Sequence, residues 1–164
     1  MSDPLVGTVI QDRYKIVRPL GEGGMGAVYQ GENIKIGRPV AIKVLHPEFA
    51  RNPEVVARFH QEAKAATAIG HPHIIEVLDL GELPDGSTFM VLELLAGKDW
   101  GEELDDDGPQ PLSHVAEVLW QVCDALESAH AKGIVHRDLK PENIFLIHRH
   151  GRDDYVKVLD FGIS

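Results

Sequence analysis

His136-Arg137-Asp138-Leu139-Lys140-Pro141-Glu142-Asn143 and, one apolar hairpin later, Asp160-Phe161-Gly162 are the stretches on which the reading of this chain turns. Between them, Ile144-Phe145-Leu146-Ile147 and Val156-Lys157-Val158-Leu159 flank a turn at 148–154 and read as two paired strands. Upstream, Ser113 is placed to cap a long helix with apolar positions at Val115, Val118, Leu119, Val122, Ala125, Leu126 and Ala129, ending before Gly133. Polar, chemically versatile residues are thus held between a helix and a hairpin.

Further upstream, Leu94 to Pro111 is glycine-bearing and acidic, with Glu102, Glu103, Asp105, Asp106 and Asp107, and reads as a linker with a short helix at a lobe boundary. The acidic run is a solvated face that could also favour basic substrates. Before it, Ile74 to Leu80 and Ser87 to Leu92 bracket the turn Leu83-Pro84-Asp85-Gly86, a hairpin. Asn52-Pro53-Glu54 starts a helix to about Ile69, with a side-chain cap, a proline at the first helical position and an acid in the first turn. Its apolar stripe is Val56, Phe59, Ala63 and Ala66, and Glu62 projects from the edge of that face. Tyr14 to Arg18, Ala27 to Gln30 and Pro39 to Leu45 are strands, giving five strands and one helix by residue 93.

The chain has 164 residues, 43% of them apolar and 26% charged, which fits a folded domain and excludes disordered and repeat classes. With 16 Lys and Arg against 26 Asp and Glu the net charge is −10, which argues against nonspecific nucleic-acid binding. No apolar run approaches the length of a membrane span, and the start lacks the basic flank and apolar stretch of a secretory signal. The single cysteine, Cys123, is expected as a small core residue. The pairs His71/His73 and His148/His150 lack thiol or carboxylate partners at metal-binding spacing, so no zinc site is expected.

Gly21-Glu22-Gly23-Gly24-Met25-Gly26 fits G-x-G-x-x-G, which alone is compatible with a dinucleotide turn, a phosphate-covering hairpin or a structural bend. A strand, Ala27-Val28-Tyr29, follows instead of a helix, and the next strand carries Lys43 instead of an acid, which favours a glycine hairpin over a nucleotide. In Val40-Ala41-Ile42-Lys43 the lysine shares a strand face with Ala41 and Leu45. A lysine there either snorkels to solvent or meets an opposite charge, and Glu62 supplies one.

Taken with the 136–143 and 160–162 stretches, these motifs resemble, in order and over essentially the whole chain, the eukaryotic-like protein kinases, specifically the bacterial serine/threonine kinases. The resemblance implies an α+β fold: a nucleotide-binding lobe of five antiparallel strands and one helix over 1–93, a hinge at 94–97, and an incomplete helical lobe over 98–164 with the catalytic loop. It implies ATP and Mg2+ as cofactors and a protein bearing Ser or Thr as substrate. Asp138 would orient the substrate hydroxyl and accept its proton, Lys140 would stabilise the transferring phosphate, and Asn143 and Asp160 would hold magnesium. Lys43 would grip the α and β phosphates with Glu62 holding it. The nucleotide would lie against Leu20, the glycine hairpin from Gly21 through Glu22, Gly23, Gly24, Met25 and Gly26 to Ala27, and Val28, Ala41 and Phe145. Leu92 would be gatekeeper, with the backbones of Glu93 and Leu95 bonding the adenine. His136 would pack and hydrogen-bond, Lys140 marks the serine/threonine form of the loop, and Arg137 marks the subset switched by activation-loop phosphorylation. A cytoplasmic location is expected.

The family pattern continues past residue 164 through an activation segment and further helices, so the chain is expected to be truncated on its protein-substrate side. A nucleotide-binding scaffold without transfer and a remnant without function are therefore the alternatives to an enzyme. Joint retention of Lys43, Glu62, Asp138, Asn143 and Asp160 favours the enzyme as the ancestry, whereas the missing activation segment favours the scaffold or the remnant for the chain as it stands. The helix after Ser113 is expected to expose an apolar stripe and promote self-association. Light scattering checks this: a concentration-dependent mass is expected, and a monodisperse monomer with a cooperative melt would count against it.

Overall fold

The computed structural model describes residues 3–161. They form two compact units, one of residues 3–63 and 77–94, the other of residues 64–76 and 95–161.

The first unit is built on a six-stranded antiparallel sheet in the order β1-β2-β3-β4-β6-β5: β1 Val9–Ile10, β2 Tyr14–Glu22, β3 Gly26–Asn33, β4 Arg38–Leu45, β5 Val77–Glu82 and β6 Thr88–Glu93. The expected five strands are present, and a sixth, β1, pairs Val9 with Lys15 and Ile10 with Tyr14. Two residues are too few to show an alternating pattern, so only the pairing with β2 defines this strand. Strict alternation along β4 sends Val40, Ile42 and Val44 into a core with Ile16, Phe89 and Val91, while Leu45 joins Phe59, Ala63 and Met90 on the other side. The helix carrying Phe59 spans Pro53–Ile69. Asn52 caps it, its Oδ1 accepting from Glu54 N at 3.0 Å. Here the expected helix and the observed one coincide, because cap, proline and apolar stripe agree. A four-residue helix, Pro47–Ala50, precedes it and was not expected. We number the short helix α1 and the long one α2.

On the outer edge of the first core Tyr29 donates to Asp3 Oδ2 at 2.8 Å. Burial, reinforced by that carboxylate, pushes the phenol up to about 12.

In the second unit a three-stranded sheet, β7 Gly97–Asp99, β8 Ile144–Arg149 and β9 Arg152–Val158, accompanies α3 Trp100–Asp107 and α4 Leu112–Ala131. The expected linker of Leu94 to Pro111 is therefore mostly ordered, with α3 closed by a reciprocal cap between Asp99 and Glu102. Ser113 is not the cap of α4: the helix begins at Leu112, Pro111 occupies the cap position, and Ser113 falls inside the first turn. The β8–β9 turn is also tighter than expected, since His148, Arg149, Arg152 and Asp153 all belong to the strands. Gln121, buried on α4, donates to Asp154 O at 2.9 Å and accepts from Val156 N at 3.0 Å, tying helix to strand. Cys123 is exposed and not in the core. The buried positions of α4 are Val118, Gln121, Val122, Ala125 and Ala129, and Cys123 lies off that stripe. Leu112, Leu119 and Trp120 are exposed on the same helix.

The segment 64–76 groups with the second unit through backbone pairing: Val158 N donates to His73 O at 2.7 Å, and Ile75 N donates to Val158 O at 3.1 Å. His73 Nδ1 lies 2.8 Å from Val156 O, and burial holds its pKa below the usual imidazole value, partly offset by that bond. A group kept neutral in the fold contributes stability that is complete above the unfolded value of about 6.5 and is lost as pH falls from there through the lower folded value. The melting temperature should therefore fall between pH of about 7.5 and about 5, and His73→Gln should reduce that fall. An unchanged pH dependence in the variant would contradict the assignment.

Candidate active site

In the first unit, register brings the expected nucleotide-facing side chains onto one face of the sheet. Val28 is opposite Lys43 and Ala41 is opposite Leu92, and cross-strand neighbours share a face. The other face is the core, and Ala27, expected among the nucleotide-binding residues, places its side chain there. Lys43 Nζ lies 3.0 Å from Glu62 Oε1, with side chains 24% and 20% exposed, so the snorkelling alternative is excluded and the lysine is ion-paired from α2. The same ammonium is 5.9 Å from the Phe59 ring centroid. Partial burial makes the pair stronger than a surface bridge and makes loss of either partner costly.

The glycine hairpin is the turn between β2 and β3, closed by Gly23 N donating to Gly26 O at 2.8 Å. A strand follows it, which removes the dinucleotide-turn alternative. Its residues play unequal parts. A Cβ on Gly26 would lie 2.2 Å from Val44 O, whereas Gly21 and Gly24 have open space around them. Leu20, Glu22 and Met25 are exposed, and Met25 O accepts from His46 N at 3.0 Å. Glu93, half-buried, closes β6 opposite Val40.

In the second unit the 136–143 stretch is a loop ending in a single 3-10 turn, Pro141–Asn143. Asn143 is buried, and its Nδ2 donates to Asp138 O at 2.8 Å and to Asp138 Oδ2 at 3.3 Å. Lys140 Nζ stands 3.8 Å from Asp138 Oδ2, the two side chains 50% and 56% exposed. A carboxylate and an ammonium are thus presented together to a reactant and braced from behind. His136 does the bracing expected of it: 2% exposed, its Nδ1 accepts from Asp138 N at 3.2 Å, its Nε2 lies 2.8 Å from Leu159 O, and its ring is 4.7 Å from that of Phe161. Leu159 N in turn donates to Asn143 O at 2.8 Å, which joins the loop to the chain leading into Asp160. Phe145 is half-buried on β8 opposite Lys157, and Leu95 is half-buried before β7. Gly162 lies outside the described residues.

Sequence reasoning did not foresee the backbone of this loop. Arg137 and Asp160 adopt φ of 66° and 46°, a region that non-glycine residues enter at a cost of about 1–3 kcal/mol and that clusters at functional sites. No residue type announces it, and the His136 and Asn143 bonds help to hold the loop there.

The donor set also suits magnesium. Because the Asn143 amide nitrogen is spent on Asp138, its Oδ1 is left as a neutral hard-oxygen ligand, the donor type magnesium prefers, and the Asp160 carboxylate is of the same hard-oxygen type. Among the described residues no group of three or more His, Cys, Asp or Glu could hold a metal by itself.

Residues 14–164 match the family model of the protein kinase domain. The chain belongs to that family. Serine/threonine-protein kinase Pkn1 of Myxococcus xanthus is 50% identical over 163 residues, 99% of this chain and 23% of the relative. PrkC of Bacillus subtilis, another serine/threonine-protein kinase, is 39% identical over 160 residues, 98% of this chain and 24% of its own. The crystal structure of the Mycobacterium tuberculosis PknI kinase domain superposes with a TM-score of 0.80 at 32% identity, over all of this chain and 64% of that one. The kinase fold and the resemblance to bacterial serine/threonine kinases therefore hold, and the chain spans about a quarter of these relatives' length.

The crowding at Gly26 generates a contrast. Gly26→Ala should lower the melting temperature clearly, because Val44 O is backbone and cannot step aside, whereas Gly24→Ala should change it little. Equal melts for the two variants would refute this account of the hairpin.

Proposed function

We propose that this chain is the catalytic portion of a serine/threonine protein kinase that transfers the γ-phosphate of ATP to a protein hydroxyl. The observation that carries the reading is the braced pair at Asp138 and Lys140, an acceptor for a hydroxyl proton beside a cation for a transferring phosphoryl group. Phosphoryl transfer needs positioning and charge stabilisation more than covalent catalysis, and the residues divide along those lines. Asp138 orients the serine or threonine hydroxyl and takes its proton as the oxygen attacks. Lys140 offsets negative charge on the γ-phosphoryl oxygens. Lys43, held by Glu62, binds the α and β phosphates, and amides of the Gly21–Gly26 hairpin approach them. By the family resemblance, Val28 and Ala41 of the first unit and Phe145 of the second would each offer apolar surface to adenine, Leu92 would be gatekeeper, and backbone groups of Glu93 and Leu95 would bond its edge. Mg2+ would be held by Asn143 Oδ1 and the Asp160 carboxylate, and supplies neutralisation of the phosphate charge when bound.

Serine and threonine as acceptors follow from Lys140 and from the relatives. Arg137 points to control by phosphorylation of an activation segment. No helix among the described residues is long and apolar enough to cross a membrane, and a cytoplasmic site of action is proposed for this portion.

Mg-ATP at about a hundredfold excess over its Kd should stabilise the protein by about 2.7 kcal/mol, seen as a higher melting temperature. Lys43→Met should reduce that shift, and its absence in the parent would refute nucleotide binding. Asp138→Asn should keep the shift while lowering phosphate transfer to a basic protein by about 10²–10⁴-fold, the range for losing a general base. Equal transfer by parent and Asp138→Asn would refute the role of Asp138.

A further inference from the structure

The C-terminal turn of α2 is capped from outside the helix. α2 has no basic residue in its last turn, although a helix C-terminus leaves carbonyls without partners and carries partial negative charge. Gly70, with φ of 58°, turns the chain away and its N–H reaches Ala66 O at 3.2 Å. The next carbonyls are met by Lys132, whose Nζ donates to Ala68 O at 2.5 Å and to Ile69 O at 3.1 Å.

Lys132 is itself set in place by the end of α4. Its N–H donates to Ala129 O at 3.0 Å, Gly133 follows with φ of 72° and donates to His130 O at 2.9 Å, and Ile134 N returns to Ala129 O at 3.0 Å. Such a wrapped terminus fixes the point from which the side chain departs. The same helix makes a second tie just past α2, where His71 Nε2 lies 3.2 Å from Asp124 Oδ2. Glu62 stands less than two turns upstream of Ala68 on the same continuous helix.

We propose that Lys132 is a positioning residue: by binding the Ala68 and Ile69 carbonyls it holds the last turn of α2, and through that helix it holds Glu62 where it pairs with Lys43. The role rests on the nucleotide-binding reading of Lys43. Lys132 acts through the helix and not by touching nucleotide or acceptor.

The test compares Lys132→Met, Lys132→Arg and Glu62→Gln by calorimetric titration with Mg-ATP and by amide hydrogen exchange at residues 66–70. Lys132→Met should weaken Mg-ATP binding about two- to fivefold, the range for one cation at a helix C-terminus, and speed exchange at 66–70. Lys132→Arg should restore both. In the Glu62→Gln background Lys132→Met should add no further loss of affinity, because the path through Glu62 is already cut. Unchanged affinity in Lys132→Met despite faster exchange would overturn the proposal and leave a purely structural cap. A full additional loss in the Glu62→Gln background would overturn it as well. If the parent itself fails to bind Mg-ATP, the nucleotide reading is what fails, and unchanged exchange at 66–70 would then separately overturn the cap.

Discussion

A lysine on a strand whose other residues are mostly buried must be neutralised where it stands, and the first unit is organised around meeting that demand at Lys43. Alternation along β4 puts Val40, Ile42 and Val44 into one core, which forces Lys43 to the face shared with Ala41 and Leu45. On that face α2 lays Phe59 and Ala63 against Leu45 and Met90, and the apolar packing that seats the helix also delivers Glu62 to 3.0 Å from the ammonium. Packing and charge pairing are therefore one arrangement: moving the helix would open the core and strand a partly buried cation.

The second unit solves a different problem, holding a carboxylate half exposed and still fixed. The 136–143 loop has no regular backbone ladder, so side chains replace it. The buried His136 and Asn143 bond to Asp138 and Leu159, and the β8–β9 sheet beneath them is pinned to α4 by Gln121. Left-handed backbone at Arg137 and Asp160 sits beside these bonds, which help to hold it. The strain falls on the residues adjoining the chemistry, while the surrounding β8, β9 and α4 stay regular.

Much of this was legible in the sequence, for identifiable reasons. The α2 boundaries follow from Asn52, Pro53 and a clear apolar stripe, the glycine hairpin from the strand after Gly26, and the Lys43–Glu62 pair from one inward cation facing one inward acid. The misjudged features were those in which local preference lost to tertiary pairing. β1 exists only because β2 offers it a partner. α4 starts before the serine suited to cap it, and Cys123, apolar in type, lies on the outer face of its helix beside Val122.

The sequence by itself determined the family and the candidate site residues, because glycine spacing, an inward lysine and a clustered Asp-Lys-Asn loop are written in residue type and order. The tertiary structure alone decided which groups meet and how they are held. Asn143 spends its amide nitrogen on Asp138, Arg137 and Asp160 take left-handed backbone, and Lys132 reaches the carbonyls that end α2. Each of these joins atoms distant in sequence or sets a backbone angle, and neither a periodicity nor a motif encodes such geometry. It arises when packed elements leave a polar group one partner within hydrogen-bonding reach.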